Sequence, residues 1–180
     1  MRILRWNCWG ICNASIARAL QALIRVHNPV CVFLCKTKAS EDRMKKLASS
    51  IGFSEHVLVS AKGKAGGICL LWSNSLDAEI LEFDSQTVAV KVSDDFCSWV
   101  MIGFYGLLYQ TKRYKAWGNL YALLQSISEP WLCFGDFNVV VDDAEKDGGI
   151  RGSSSTPNFL KDLLFDLGAV DLGFAGCKFT

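Results

Sequence analysis

Five polar residues stand at or just past the ends of strand-like runs, and they are where chemistry could be done. Asn7 follows RILRW, Lys36 follows VCVFLC, Tyr105 ends WVMIGFY, and Asp136 and Asn138 follow WLCFG. Short apolar or alternating runs of this kind read as strands, so four strands each deliver a hydrogen-bonding group at or near the C-terminal end. If those strands are neighbours, the groups converge on one mouth, where rigid elements hold them in register for a substrate. Each residue also has a plainer reading as the end of a strand, and Asp136-Phe137-Asn138 is a competent Asx turn. Lys36 admits three roles: a catalytic or phosphate-binding amine, a solvated charge that ends a strand, or a cation where the chemistry wants another residue.

The elements that would position these groups follow from periodicity. RILRWNC alternates as a strand, and NASIARALQALIRVH then places Ile16, Leu20, Leu23, Ile24 and His27 on one helical stripe, with Asn13 as cap and Pro29 as stop. VCVFLC reads as a strand buried on both faces. A second helix from Ser40 buries Met44, Leu47 and Ile51 and ends at Gly52. EHVLVS, ICLLW, LDAEILEF, TVAVKV and CSWVMIGFYG then read as a meander of paired strands. AKGKAGG lacks the spacing of a phosphate loop and no helix follows it, so a hairpin turn with solvated lysines is the better use. TKRYKAWGNLYALLQSIS is a helix, WLCFG a buried strand, and TPNFLKDLLFDLG a helix with Thr156 as cap, Pro157 at its first position and Gly168 at its close. Helices at both ends and strands in the middle suit two sheets packed face to face with helices outside.

At 180 residues the chain is expected to be one domain, and 51% hydrophobic against 21% charged residues marks a globular chain. A net charge of +1 gives no broad basic face, so a polyanion would bind only at a local site. The eight cysteines show no two-residue spacer of a zinc or redox motif and read as reduced, buried small hydrophobes. His27 and His56 read as structural. The start lacks a signal-peptide core, and WVMIGFYGLLY is too short to span a bilayer, so no membrane partner is expected. The expectation is a soluble intracellular protein, with the nucleus as one option.

Taken together, RWNCWG, FLCKTK, GGICLLW, GFYG, WLCFGDFN, EKDGG and DLGFAGCKFT make the chain resemble the endonuclease/exonuclease/phosphatase superfamily, and more narrowly the apurinic-type endonuclease domain of plant LINE (non-LTR) retrotransposons. The resemblance implies a four-layer α/β sandwich, here over residues 1–180 and incomplete at the C-terminal end, and a magnesium-dependent phosphodiesterase that nicks DNA. By resemblance, Asn7 helps hold the metal, Tyr105 reaches the scissile phosphate, Asp136 orients and deprotonates the attacking water, and Asn138 steadies the phosphate or leaving group. The types suit that reaction, because magnesium takes oxygen ligands while amides and a phenol touch a phosphate without repelling it.

At Lys36 the resemblance implies a glutamate, the principal protein ligand of the metal. A lysine changes the local charge by two units, and an ammonium about 4 Å from a dication is opposed by about 8 kcal/mol at an effective dielectric near 20. Lys36 is therefore not expected to bind metal, and magnesium, the cofactor the resemblance implies, is expected to bind poorly or elsewhere. Trp9 stands where the family usually has arginine, and Val30 where an aspartate commonly follows Asn-Pro. The family's Ser-Asp-His segment, with the strands that close the second sheet, is expected past Thr180. Three functions stand open: a working magnesium phosphodiesterase on DNA, a non-catalytic retroelement relic that binds nucleic acid weakly or serves as an interaction domain, and a small-molecule phosphatase.

Overall fold

The computed structural model describes residues 1–61, 66–107, 110–139 and 159–173. In chain order the elements are β1 (Ile3–Asn7), α1 (Ala14–His27), β2 (Cys31–Cys35), α2 (Glu41–Ser50), β3 (Glu55–Val59), β4 (Ile68–Trp72), β5 (Asp77–Phe83), β6 (Thr87–Ser93), β7 (Ser98–Tyr105), α3 (Gln110–Ser126), β8 (Trp131–Asp136) and α4 (Phe159–Asp166). They fall into two compact units. The first is Met1–Tyr105 with Ile127–Asp136, and the second is Gly106–Ser126 with Phe137–Thr180.

The first unit holds two four-stranded sheets, ordered β1-β2-β4-β3 and β5-β6-β7-β8. Both are mixed. β1 runs parallel to β2 and β7 parallel to β8, while the remaining pairs are antiparallel. A parallel pair needs a long crossover, and the chain supplies a helix in each: α1 between β1 and β2, α3 between β7 and β8.

Strand alternation divides the core. Cys31, Phe33 and Cys35 of β2 with Leu70 and Trp72 of β4 face Val88, Val90 and Val92 of β6 and Met101 and Tyr105 of β7. The opposite face of the first sheet, with Val32, Leu34, Cys69 and Leu71, packs on Leu20 of α1 and Met44 and Ala48 of α2. β2 and β4 are thus covered on both sides, which is why their sequences run apolar without a break. Each large side chain so buried stabilises by about 1.5–3 kcal/mol. Helices on one sheet and that sheet on a second make the α/β sandwich expected from the sequence.

Between the sheets the Phe33 and Phe134 rings meet edge to face at 5.7 Å. Gly103 makes room for them, because a Cβ there would come within 2.5 Å of the Phe33 ring. The meander expected from the sequence is broken once: β3 pairs with β4, but β5 opens the other sheet. β4 already lies between β2 and β3, so neither of its edges is free for β5.

Local signals behave as their chemistry dictates. Asn13 caps α1, accepting a hydrogen bond from the Ser15 amide, and Asn28 ends the helix in the left-handed region before Pro29 is reached. Gly168 closes α4 with φ +60, while Thr156 and Pro157 lie outside the described residues. In the second unit the Tyr114 and Phe159 rings pack edge to face at 4.8 Å and Trp117 stacks on Phe137 at 5.9 Å. Not every thiol is interior: Cys12 and Cys97 are exposed, because both fall in turns outside the strands, and all cysteines among the described residues are free. No described helix is long and apolar enough to cross a membrane.

Candidate functional site

Register sets the site. In the first sheet Asn7 pairs with Cys35, the residue before Lys36, and in the second Tyr105 pairs with Asp136. Because both pairs are parallel, each brings two C-terminal strand ends side by side. The pairing of β1 with β2 continues past the strands, with the Cys8 amide donating to the Cys35 carbonyl at 3.1 Å and the Ile11 amide to the Thr37 carbonyl at 2.9 Å. On the far side the Thr37 and Lys38 amides donate to the Gly67 and Gly66 carbonyls, both at 3.1 Å. Gly67 has φ +83, and a Cβ there would lie 2.3 Å from Thr37 Oγ1, so only glycine allows this brace. The glycine turn therefore supports the lysine segment, as the closing loop of the β3–β4 hairpin; residues 62–65 lie outside the described residues.

Three non-glycine residues of this rim are left-handed: Trp9 with φ 50, Lys36 with φ 55 and Lys38 with φ 50. Such backbones are uncommon for bulky side chains and persist only where the surroundings hold them.

Asp136 is the centre of the cluster. Its Oδ2 accepts from Asn7 Nδ2 at 2.7 Å and from Lys36 Nζ at 3.2 Å, and Arg5 Nη2 stands 4.0 Å from Oδ1. The Lys36 side chain is 8% exposed, so this ion pair takes the place of most of its contact with water. At 3.2 Å the gross attraction is about 5 kcal/mol at an effective dielectric near 20, much of it offset by desolvation. Lys36 Nζ also lies 4.5 Å from the centroid of the Trp9 ring and 5.7 Å from that of Tyr105, and Lys38 Nζ lies 5.2 Å from the Trp9 ring. Burial, with the Asp136 charge adding to it, pushes the Tyr105 phenol above its usual 10, so it is a neutral hydrogen-bond donor at physiological pH.

Of the residues singled out from sequence, Asn7, Lys36, Tyr105 and Asp136 are gathered here. Asn138 belongs to the second unit, where it is left-handed with φ 53 and its amide donates to the Gly106 carbonyl. Arg5 and Lys38 were missed, and Trp9 figured only as a departure from a family pattern. Arg5 had a signal: it precedes Asn7 by two residues on a strand, so the two share a face. Trp9 and Lys38 had none, since both lie beyond strand ends on left-handed backbone.

Among the described residues, few side-chain oxygen atoms at the rim are available to a metal. They are the Asp136 carboxylate, the Tyr105 phenol, and Asn7 Oδ1, which is buried without a hydrogen-bond partner. No group of three or more His, Cys, Asp or Glu that could hold a metal ion occurs among the described residues. Magnesium requires near-octahedral oxygen ligation, usually through one or two carboxylates. Among the described residues the one carboxylate of the rim already accepts from an ammonium, so those residues do not fit the ion.

A sequence model described as the Endonuclease/Exonuclease/phosphatase family matches residues 6–176. No match is found among curated proteins. Among solved structures, a 3′ phosphatase from Neisseria bound to a product DNA hairpin is similar at 15% identity and TM-score 0.63, covering 81% of this chain and 60% of its own. An AP endonuclease from Leishmania major is similar at 17% identity and TM-score 0.62, with 82% and 58% covered. An AP endonuclease from Archaeoglobus fulgidus is similar at 16% identity and TM-score 0.63, with 82% and 62% covered. At these identities the likeness is one of fold, and the chain spans 58–62% of the length of these three structures.

Proposed function

The chain belongs to the endonuclease/exonuclease/phosphatase family, and from that premise we propose a phosphodiesterase-type domain acting on DNA, of LINE retrotransposon origin, whose metal-dependent hydrolysis is impaired. Residues 1–180 act as one domain in this reading. The observation that supports impairment is the Lys36 ammonium 3.2 Å from Asp136 Oδ2. A carboxylate deprotonates water only with a lone pair free to receive the proton. Asp136 Oδ2 instead accepts from two donors, which leaves that oxygen no free lone pair for the proton. Tyr105 offers a neutral phenol to a phosphate oxygen, and Asn138 takes the part of steadying the leaving group. The motif set from RWNCWG to GDFN supports the retroelement origin.

A second reading, a domain that binds nucleic acid without cutting it, is favoured by charge. Among the described residues of the rim, Arg5, Lys36 and Lys38 outnumber Asp136 and leave two positive charges in excess. Nicking of supercoiled plasmid in magnesium, with and without chelator, tests the proposal. The wild type is expected to give little or no nicking, and Lys36→Glu to give more. Chelator-sensitive nicking by the wild type at the rate of an ordinary endonuclease would overturn it, and phosphate release from nucleotides without DNA cleavage would point to a small-molecule substrate.

A further inference from the structure

We infer that the rim is a metal-independent site for an unpaired nucleotide, in which the indole of Trp9 stacks on the base while Lys38 and Arg5 hold the attached phosphate. This rests on the nucleic-acid reading above and specifies its ligand.

Trp9 is 62% exposed, whereas Trp72 and Trp117 are 3% and 2% exposed. It is also left-handed, with φ 50, so the backbone holds the ring at the rim in a conformation that a bulky residue rarely adopts. Two ammonium groups, Lys36 at 4.5 Å and Lys38 at 5.2 Å from the ring centroid, fix the indole beside the charged cluster. A large aromatic surface facing water next to cations is the arrangement by which unpaired bases and their phosphates are held, and every base has a face to stack.

The division of labour among the cations follows from burial. Lys36 is 7% exposed and committed to Asp136, whose carboxylate would otherwise repel a phosphodiester. By cancelling that charge it leaves the rim receptive to an anion without a divalent ion. Lys38 is exposed and the Arg5 side chain is 40% exposed, so these two can reach a phosphate. Arg5 can offer a forked pair of donors and Lys38 a mobile point charge. Lysine thus supplies the metal's charge but not its ordered water, which favours holding a strand over cutting it. In an intact duplex both faces of each base are already stacked, so an unpaired base is the form the indole can take.

Fluorescence anisotropy of a labelled oligothymidylate, titrated with the full chain in chelator, tests this. The single strand is expected to bind in chelator with no gain on adding magnesium at matched ionic strength, and more tightly than the same strand in duplex. Trp9→Ala should weaken binding roughly 5- to 150-fold, the range measured for loss of one stacked base, while Trp9→Phe keeps most of it. Lys38→Gln should weaken binding and flatten its salt dependence. Competition by thymidine monophosphate separates the sources: equal competition assigns a free nucleotide, and none assigns a strand. The inference is overturned if binding requires magnesium, if duplex and single strand bind alike, or if Trp9→Ala with an unchanged circular dichroism spectrum binds as the wild type does. Absence of nicking by Lys36→Glu would count against the preceding proposal and leave this binding result standing.

Discussion

Exchanging Lys36 for glutamate reverses the charge at the centre of the rim, and its consequences can be worked from one distance. Nζ stands 3.2 Å from Asp136 Oδ2. A magnesium ion bound to that oxygen at about 2.1 Å would lie no farther than about 5.3 Å from the ammonium, and at an effective dielectric near 20 the repulsion is about 6 kcal/mol while the side chain keeps its place. That is about four decades in metal affinity. In Lys36→Glu the repulsion is gone, and a second carboxylate joins Asp136 and the unpartnered Asn7 Oδ1 to make an oxygen set that magnesium accepts. Without metal the variant should melt below the wild type, since two carboxylates then share one site. At a magnesium concentration about a hundredfold above its dissociation constant the variant gains about 2.7 kcal/mol, which in a chain of this size raises Tm by roughly 5–11 °C. Thermal melting with and without magnesium reads this independently of catalysis. An equal rise in the wild type, or none in the variant, would refute the reasoning.

Other outcomes follow from packing and charge. Gly103→Ala places a Cβ against the Phe33 ring and should destabilise by about 1–3 kcal/mol, read as a lower urea midpoint. Glu129 accepts from Lys91 at 2.7 Å, and this bond is the main reason its carboxyl is held at about 2 instead of 4.5. A depressed carboxyl contributes stability above its unfolded pKa that is lost as pH falls through the folded one. Glu129→Gln should therefore be less stable than the wild type at neutral pH, with the gap closing between pH 4.5 and about 2, as urea titrations across that window would register. Burial pushes the Cys31, Cys35 and Cys133 thiols up to about 12. A thiol reagent should therefore modify exposed Cys12 and Cys97 in the native protein and reach fully buried Cys31 and Cys35 only in denaturant, as peptide mass mapping would show.

What the sequence made legible was local. β2 and β4 could be read from unbroken apolar runs because each is covered on both faces, and α1 from its stripe and its Asn13 cap. Lys36 stood out because a cation directly after a doubly buried strand has few comfortable places to go. Pairing was not legible, since it joins segments far apart: Asp136 receives its hydrogen bonds from Lys36 and Asn7, 100 and 129 residues earlier. The switch of sheet between β4 and β5 was hidden for the same reason, as both segments read equally well as strands. Trp9 and Lys38 escaped because left-handed backbone beyond a strand end obeys neither the two-residue nor the 3.6-residue period.

The claim beneath all of this is that an ammonium occupies the position a metal would need at Asp136. Crystals of the unaltered protein soaked in manganese, with anomalous difference maps at the rim, test it most directly. The account predicts no ion within coordination distance of Asp136 and the Lys36 nitrogen still bonded to its Oδ2. An ordered manganese ion on that carboxylate, with Lys36 turned away, would contradict it.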